Sequence, residues 1–181
     1  MASSLCIIIL LVQKTHMALA DTEHIHHKRY LSSLPEVYSR VGYGILGKHG
    51  RLGYERRQVS ILGEHSVHAL SMHPPYMGSA IVEYDISKII GKSFNNQVRL
   101  VSRVAINDNN NSRNQTGSLL TWHLFADGRQ EWASEPMDRT EHVQTANIVL
   151  RSGCIVALLL YPIFLEHAIL RRIVGMHRRA H

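Results

Sequence analysis

The chain has 181 residues, of which 45% are hydrophobic and 19% charged. That is enough for one domain with a real core but not for two, and it excludes gross disorder. The formal net charge is +6. However, Arg171, Arg172, Arg178 and Arg179 sit in the last stretch and Lys14 in the first, so the body between them is nearly neutral and does not read as a nucleic-acid-binding domain.

In chain order, residues 5–12 (LCIIILLV) form a short apolar run, and Ala18-Leu19-Ala20 is a small-x-small site before Asp21. Together they read as an export leader over residues 1–20, although no Lys or Arg precedes the run. Such a leader places the mature protein outside the cell, in the periplasm or at the cell surface. It would also leave Cys154 without a disulfide partner. Residues 21–29 are polar and His-rich and read as a linker, and the body runs over residues 30–165.

Within the body the apolar period is two. Val82, Tyr84 and Ile86 alternate with Glu83 and Asp85. Val98, Leu100 and Val104 alternate with Arg99 and Arg103, and Leu120, Trp122 and Leu124 with Thr121 and His123. Each run predicts a strand with one face in a core. Turn residues separate the runs: Gly42-Tyr43-Gly44, Gly47-Lys48-His49-Gly50, Pro74-Pro75, Gly91-Lys92 and Asp127-Gly128. A short helical turn is expected near residues 87–90. Residues 154–165 (CIVALLLYPIFL) are apolar but too short to span a bilayer, and Pro162 opposes a helix, so a buried strand through Leu160 is expected. Residues 166–181 form a basic tail. Many short strands without a long amphipathic helix predict an all-β sandwich or barrel.

The sequence offers several binding constellations and no catalytic one. There is no nucleophile elbow, phosphate-binding loop, dinucleotide fingerprint or His-Glu-x-x-His pair, so no enzyme and no catalytic zinc are expected. His73 follows a predicted strand and precedes Pro74-Pro75; it either donates to a sugar hydroxyl or bonds backbone and orders the crossing. Asn107-Asp108-Asn109-Asn110-Asn111 is an oxygen-rich loop. It reads as a solvated turn, as hydrogen-bonding groups for a sugar, or as ligands for a structural Ca²⁺, though it lacks the EF-hand spacing. Trp122 falls at a core position. Trp132 reads equally as core or as an exposed stacking ring, and Tyr43, Tyr54 and Tyr76 are further loop platforms.

An ordered set of segments supports a more specific reading. Tyr30-Leu31-Ser32-Ser33-Leu34 is followed by Val41-Gly42-Tyr43-Gly44, Leu52-Gly53-Tyr54-Glu55 and Ile61-Leu62-Gly63. His68-Ala69-Leu70-Ser71-Met72-His73-Pro74-Pro75, Ala105-Ile106-Asn107-Asp108, Phe125-Ala126-Asp127-Gly128 and Trp132-Ala133-Ser134 come after. This order resembles the NPCBM family, the novel putative carbohydrate-binding modules that accompany glycoside hydrolase family 98 domains. The variant with Leu-Ser-Met-His-Pro-Pro resembles those of planctomycete-type bacteria. The resemblance implies an all-β, galactose-binding-like jelly-roll β-sandwich. It also implies a non-catalytic module that binds a glycan, such as a galactose-containing one, through loop residues. The sugar-binding set expected here is His73, Asn107, Asp108 and Trp132. No nucleic-acid partner, no membrane span in the mature chain and no cofactor beyond that Ca²⁺ are expected. The chain departs from the family pattern at Ala69, at Asn107 and in the partial ending Glu166-His167-Ala168. An alternative is a structural or protein-interaction sandwich that no longer binds sugar.

Overall fold

The structure is a computed structural model, and it describes residues 6–15, 28–54, 57–90, 97–108, 119–151 and 154–163. The Asn-rich segment beyond Asp108, the histidines of the linker and the basic tail lie outside the described residues.

Twelve strands are described. They are β1 (Cys6–Thr15), β2 (Lys28–Tyr30), β3 (Tyr38–Arg40), β4 (Ser60–Ile61), β5 (Glu64–His65) and β6 (Ala69–Met72). β7 (Ala80–Asp85), β8 (Gln97–Ile106), β9 (Leu119–Ala126), β10 (Arg129–Ala133), β11 (Gln144–Leu150) and β12 (Ile155–Ile163) complete the set. A 3-10 turn, Leu31–Ser33, follows β2, and one short helix, α1 (Ile86–Ile90), follows β7. All pairings are antiparallel. Sheet A has the order β11-β8-β1-β2, with β6 also paired to β1; sheet B has the order β10-β9-β12-β7-β3. β4 and β5 form a separate hairpin.

The inward residues of the two sheets form one core. On β7 the burial pattern alternates along the strand, and Ala80, Val82 and Tyr84 join Leu120, Trp122 and Leu124 of β9 and Val156, Leu158 and Leu160 of β12. Sheet A contributes Val98, Leu100, Val104 and Ile106. This is the expected all-β sandwich, and the alternation in β7, β8 and β9 is its cause: every second side chain is removed from water. A second, smaller core lies on the outer face of sheet A, where Leu52, Val59 and Ile61 cover Ala69 and Ala105.

Two segments fold in ways their composition left open. Ile155–Ile163 of the apolar run 154–165 form a strand, β12, flanked by β7 and β9. β7 pairs only as far as Leu160, so Pro162 falls where that edge of β12 carries no partner strand and a missing N–H costs no ladder bond. The apolar run read as part of an export leader lies mostly in β1. Ten residues of β1 pair with β8, and its other edge pairs with β2 and β6.

The strand directions define two ends. β6 and β8 finish at one end, where Met72 and Ile106 both stand opposite Cys6. α1 and the Asp127-Gly128 turn, which joins β9 to β10, lie at the other. These are called the loop end and the helix end below.

Candidate functional site

His73 and Asn107 leave the loop end from β6 and β8, which flank β1. Their backbones are therefore about 10 Å apart, two strand spacings. The long excursion over residues 41–54 folds against this end. Gly42 N–H donates to the His73 carbonyl at 2.7 Å, and Gly47 and Ser71 exchange backbone bonds at 2.9 Å each. The close approach requires glycine: a Cβ on Gly42 would stand 2.2 Å from Pro75 Cα, and one on Gly53 1.7 Å from the Ile45 carbonyl oxygen.

This packing holds an aromatic cluster. The Tyr43 ring meets the Tyr54 ring edge-on at a centroid distance of 5.3 Å and the His73 imidazole at 5.9 Å. Tyr43 nevertheless remains 59% exposed, and Ile45, Tyr76 and Met77 beside it are also exposed. His73 Nδ1–H donates to the Pro74 carbonyl at 2.8 Å. Its Nε2 is buried and has no partner among the described residues. Nδ1 must carry a hydrogen here, because a carbonyl oxygen can only accept.

Asn107 and Asp108 have a different environment. Asn107 is fully buried. Its Oδ1 accepts the Ser60 N–H at 2.9 Å. Asp108 N–H donates to the Ser60 carbonyl at 3.1 Å, and Asp108 Oδ2 accepts from Gly63 N–H at 2.5 Å. Both side chains therefore fasten the β4–β5 hairpin to the end of β8. Asp108 Oδ1 is buried without a partner among the described residues.

Trp132 is elsewhere. It lies on β10, an edge strand of sheet B, opposite Leu124. Directly paired residues share a face, and Trp132 packs against the main core. A bulge between Gln130 and Trp132 sets that orientation. The structure therefore brings His73, Asn107 and Asp108 to one end and leaves Trp132 outside that group. The loop tyrosines, which the turn-rich sequence around Gly42 and Gly53 flags, stand with His73.

Two clefts open at the helix end. One of about 310 Å³ is lined by Asp127, Arg129, Glu131, Arg151 and Cys154. The other, of about 410 Å³, is lined by Arg29, Leu34, Glu36, Val37, Asp85 and Lys88. Arg129 and Glu131 are paired at 2.7 Å, and among the described residues neither cleft is lined by an aromatic ring. Among the described residues no three His, Cys, Asp or Glu side chains converge as metal ligands.

No family model and no curated protein matches the sequence. Solved structures do. The chain is similar to the CBM51 of a Clostridium perfringens GH95 protein, solved in complex with methyl-galactose, with a TM-score of 0.55 and 12% identity. The match covers 73% of this chain and 85% of that one. The fold is that of the CBM51 carbohydrate-binding modules. A second likeness is to CBM51-2 with INT domains from C. perfringens ZmpB, in complex with GlcNAc, at a TM-score of 0.54 and 12% identity over 84% of this chain and 33% of that one. A third is to the ZmpB M60 catalytic domain with both its CBM51 domains, at a TM-score of 0.54 and 16% identity. It covers 84% of this chain and 16% of that one, so the chain spans about a third of the length of the second of these proteins and about a sixth of the third.

Proposed function

We propose that this chain is a non-catalytic glycan-binding module that stacks a neutral sugar on Tyr43 at the loop end. The observation that carries the reading is an exposed ring held from two sides by Tyr54 and His73. A ring fixed before binding loses little entropy on contact and offers an apolar face to a pyranose. Support also comes from the shared fold and from the methyl-galactose and GlcNAc held by two of the similar structures. In this reading His73 supports the platform from beneath. Asp108 and Asn107 shape the neighbouring wall through the β4–β5 hairpin, and Trp132 contributes through the core. The ordered segments that resemble NPCBM modules favour a galactose-containing ligand. A shallow, solvent-open platform corresponds to a Kd of about micromolar to millimolar.

Titrating the full chain with methyl-galactose and GlcNAc, followed by NMR, tests this. Binding should disappear in Tyr43→Ala and survive in Tyr43→Phe, which keeps the ring. A folded protein that binds neither these sugars nor any other on a glycan array would overturn the proposal. So would Tyr43→Ala binding as the parent does. A protein-interaction module is the second reading, and the exposed Ile45, Tyr76 and Met77 of the same loops favour it.

A further inference from the structure

The strands of the two sheets differ in charge. Those of sheet A contain no Asp or Glu, and their charged residues are Lys14, Lys28, Arg29, Arg99 and Arg103. Those of sheet B contain Glu83, Asp85 and Glu131. Arg99 and Arg103 are exposed and lie on the outer face of β8, four residues or about 13 Å apart. Neither guanidinium has a hydrogen-bond or ion-pair partner among the described residues. Thr145 and Val149 of β11 stand directly opposite Arg103 and Arg99, with Asn147 between them opposite Val101, and all three β11 residues are exposed. Register also brings Lys28 level with Gln13, and Gln13 level with Arg99.

The loop-end half of this outer face is covered by Leu52, Val59 and Ile61. The remainder, from Arg103 and Thr145 at the border of that cover to Arg99 and Val149 near the helix end, is exposed. The exposed acids Glu64, on the β4–β5 hairpin, and Glu141, ahead of β11, belong to the loop end; Asp127 and Glu131 share a cleft with Val149 at the helix end, where Arg129 pairs with Glu131 and Arg151 stands beside them.

We propose that this exposed part of the face is a second binding surface, for an anionic polysaccharide chain carrying sulfate or carboxylate groups. The inference rests on the glycan-binding reading of the fold and adds a ligand class at a different face. Two uncompensated guanidiniums on an acid-free sheet attract anions, and each can hold a sulfate or carboxylate through paired N–H donors. Thr145 and Asn147 offer hydroxyl and amide groups to the sugar hydroxyls between those anchors. Nucleic acid fits this face less well because among the described residues it presents no open ring for base stacking: Tyr30, on the same side, is stacked with His68 at 3.5 Å and 11°. A membrane fits less well because anionic lipid is met by clusters of about 4–8 basic residues, whereas by register only Lys28, Arg99 and Arg103 among these strand residues fall on the outer face.

The test uses the full chain and a heparin-derived octasaccharide. The parent should bind it with an affinity that falls as salt rises, and Arg99→Gln/Arg103→Gln should weaken binding about tenfold or more. Both residues are exposed, so the double variant should melt with the parent. Tyr43→Ala should leave octasaccharide binding unchanged, and the double variant should leave methyl-galactose binding unchanged. Equal octasaccharide binding by the double variant and the parent overturns the proposal. So does equally tight, equally Arg-dependent binding of oligothymidylate or phosphatidylserine vesicles, which would reduce the face to bare charge. A protein that binds the octasaccharide but neither methyl-galactose, GlcNAc nor any other neutral sugar sinks the Tyr43 platform and leaves this surface standing.

Discussion

The Oδ1 of Asn107 accepts the backbone N–H of Ser60 at 2.9 Å, across 47 residues of sequence. This bond ties the β4–β5 hairpin to β8 from inside the protein, because Asn107 is fully buried. Asn107→Ala leaves the Ser60 N–H without that acceptor, so it should lower stability by about 1–3 kcal/mol. Chemical denaturation measures that loss. Methyl-galactose affinity at temperatures where the variant is folded should stay within about twofold of the parent. A larger loss of affinity, with stability unchanged, would return Asn107 to direct ligand contact.

Gly42→Ala addresses the platform through the backbone. Its Cβ would stand 2.2 Å from Pro75 Cα, a backbone atom that no rotamer change can move away. The loop must shift, and the Gly42–His73 backbone bond shifts with it. Tyr43 should lose its edge contacts with Tyr54 and His73. Sugar affinity should fall about tenfold or more, as for a ring that is no longer preorganised. NMR shifts of Tyr43 and the titration together read this. Parent-like affinity would show that the loop tolerates displacement.

The strands that sequence reveals best are those with one face in the core and one in water. Val82, Tyr84 and their partners in β8 and β9 alternate because the sandwich demands it. β1 was not legible. Residues 7–12 (IIILLV) do not alternate, and an unbroken apolar run reads equally as a leader or as a strand between neighbours. The orientation of Trp132 depends on a one-residue bulge, which reverses the parity of everything after Gln130. The outer core under Leu52, Val59 and Ile61 comes from a turn-rich stretch with no period. The chemistry of Asn107 was legible, but its direction was not, because composition cannot say whether an amide faces a sugar or a neighbouring backbone.

Trp132→Ala is therefore expected to act on stability rather than on binding. The side chain packs on the core, opposite Leu124. It is partly exposed, so its loss should cost less than that of the fully buried Trp122, for which about 3–5 kcal/mol is typical. Comparing the two variants by thermal unfolding gives the order. An intact Trp132→Ala protein that no longer binds sugar would place a recognition surface on β10.

Cys154 offers a chemical readout of the same core. It is 2% exposed and unpaired. Burial, with Asp127 nearby, pushes its thiol up to about 11 from an ordinary 9.0. The folded protein should therefore resist thiol reagents at pH 8 and react at its unfolding rate. Above pH 9 the unfolded chain ionises this thiol while the folded one keeps its proton. This contribution to stability is present below pH 9 and is lost as pH rises towards about 11. Rapid modification at pH 8 without unfolding would contradict the burial.

The last prediction concerns β1. Along one edge it pairs all ten of its residues with β8; along the other it pairs with β2 and β6. Removing residues 1–20 would open ten residues of β8 on one side and leave β6 and β2 without their sheet. The exposed ladder groups lose hydrogen bonds, and the core loses a covering strand. Residues 21–181 should therefore melt without cooperativity or associate through the open edge, whereas the full chain unfolds in one transition. A milder version keeps the chain at full length: Met72→Cys puts a second cysteine directly opposite Cys6 in the ladder, at a backbone spacing that a disulfide can bridge. Mild oxidation of that folded variant should join residues 6 and 72, as peptide mapping after digestion would show. A freely alkylated Cys6, together with a cooperative melt of residues 21–181, would mean that the sandwich closes without this strand.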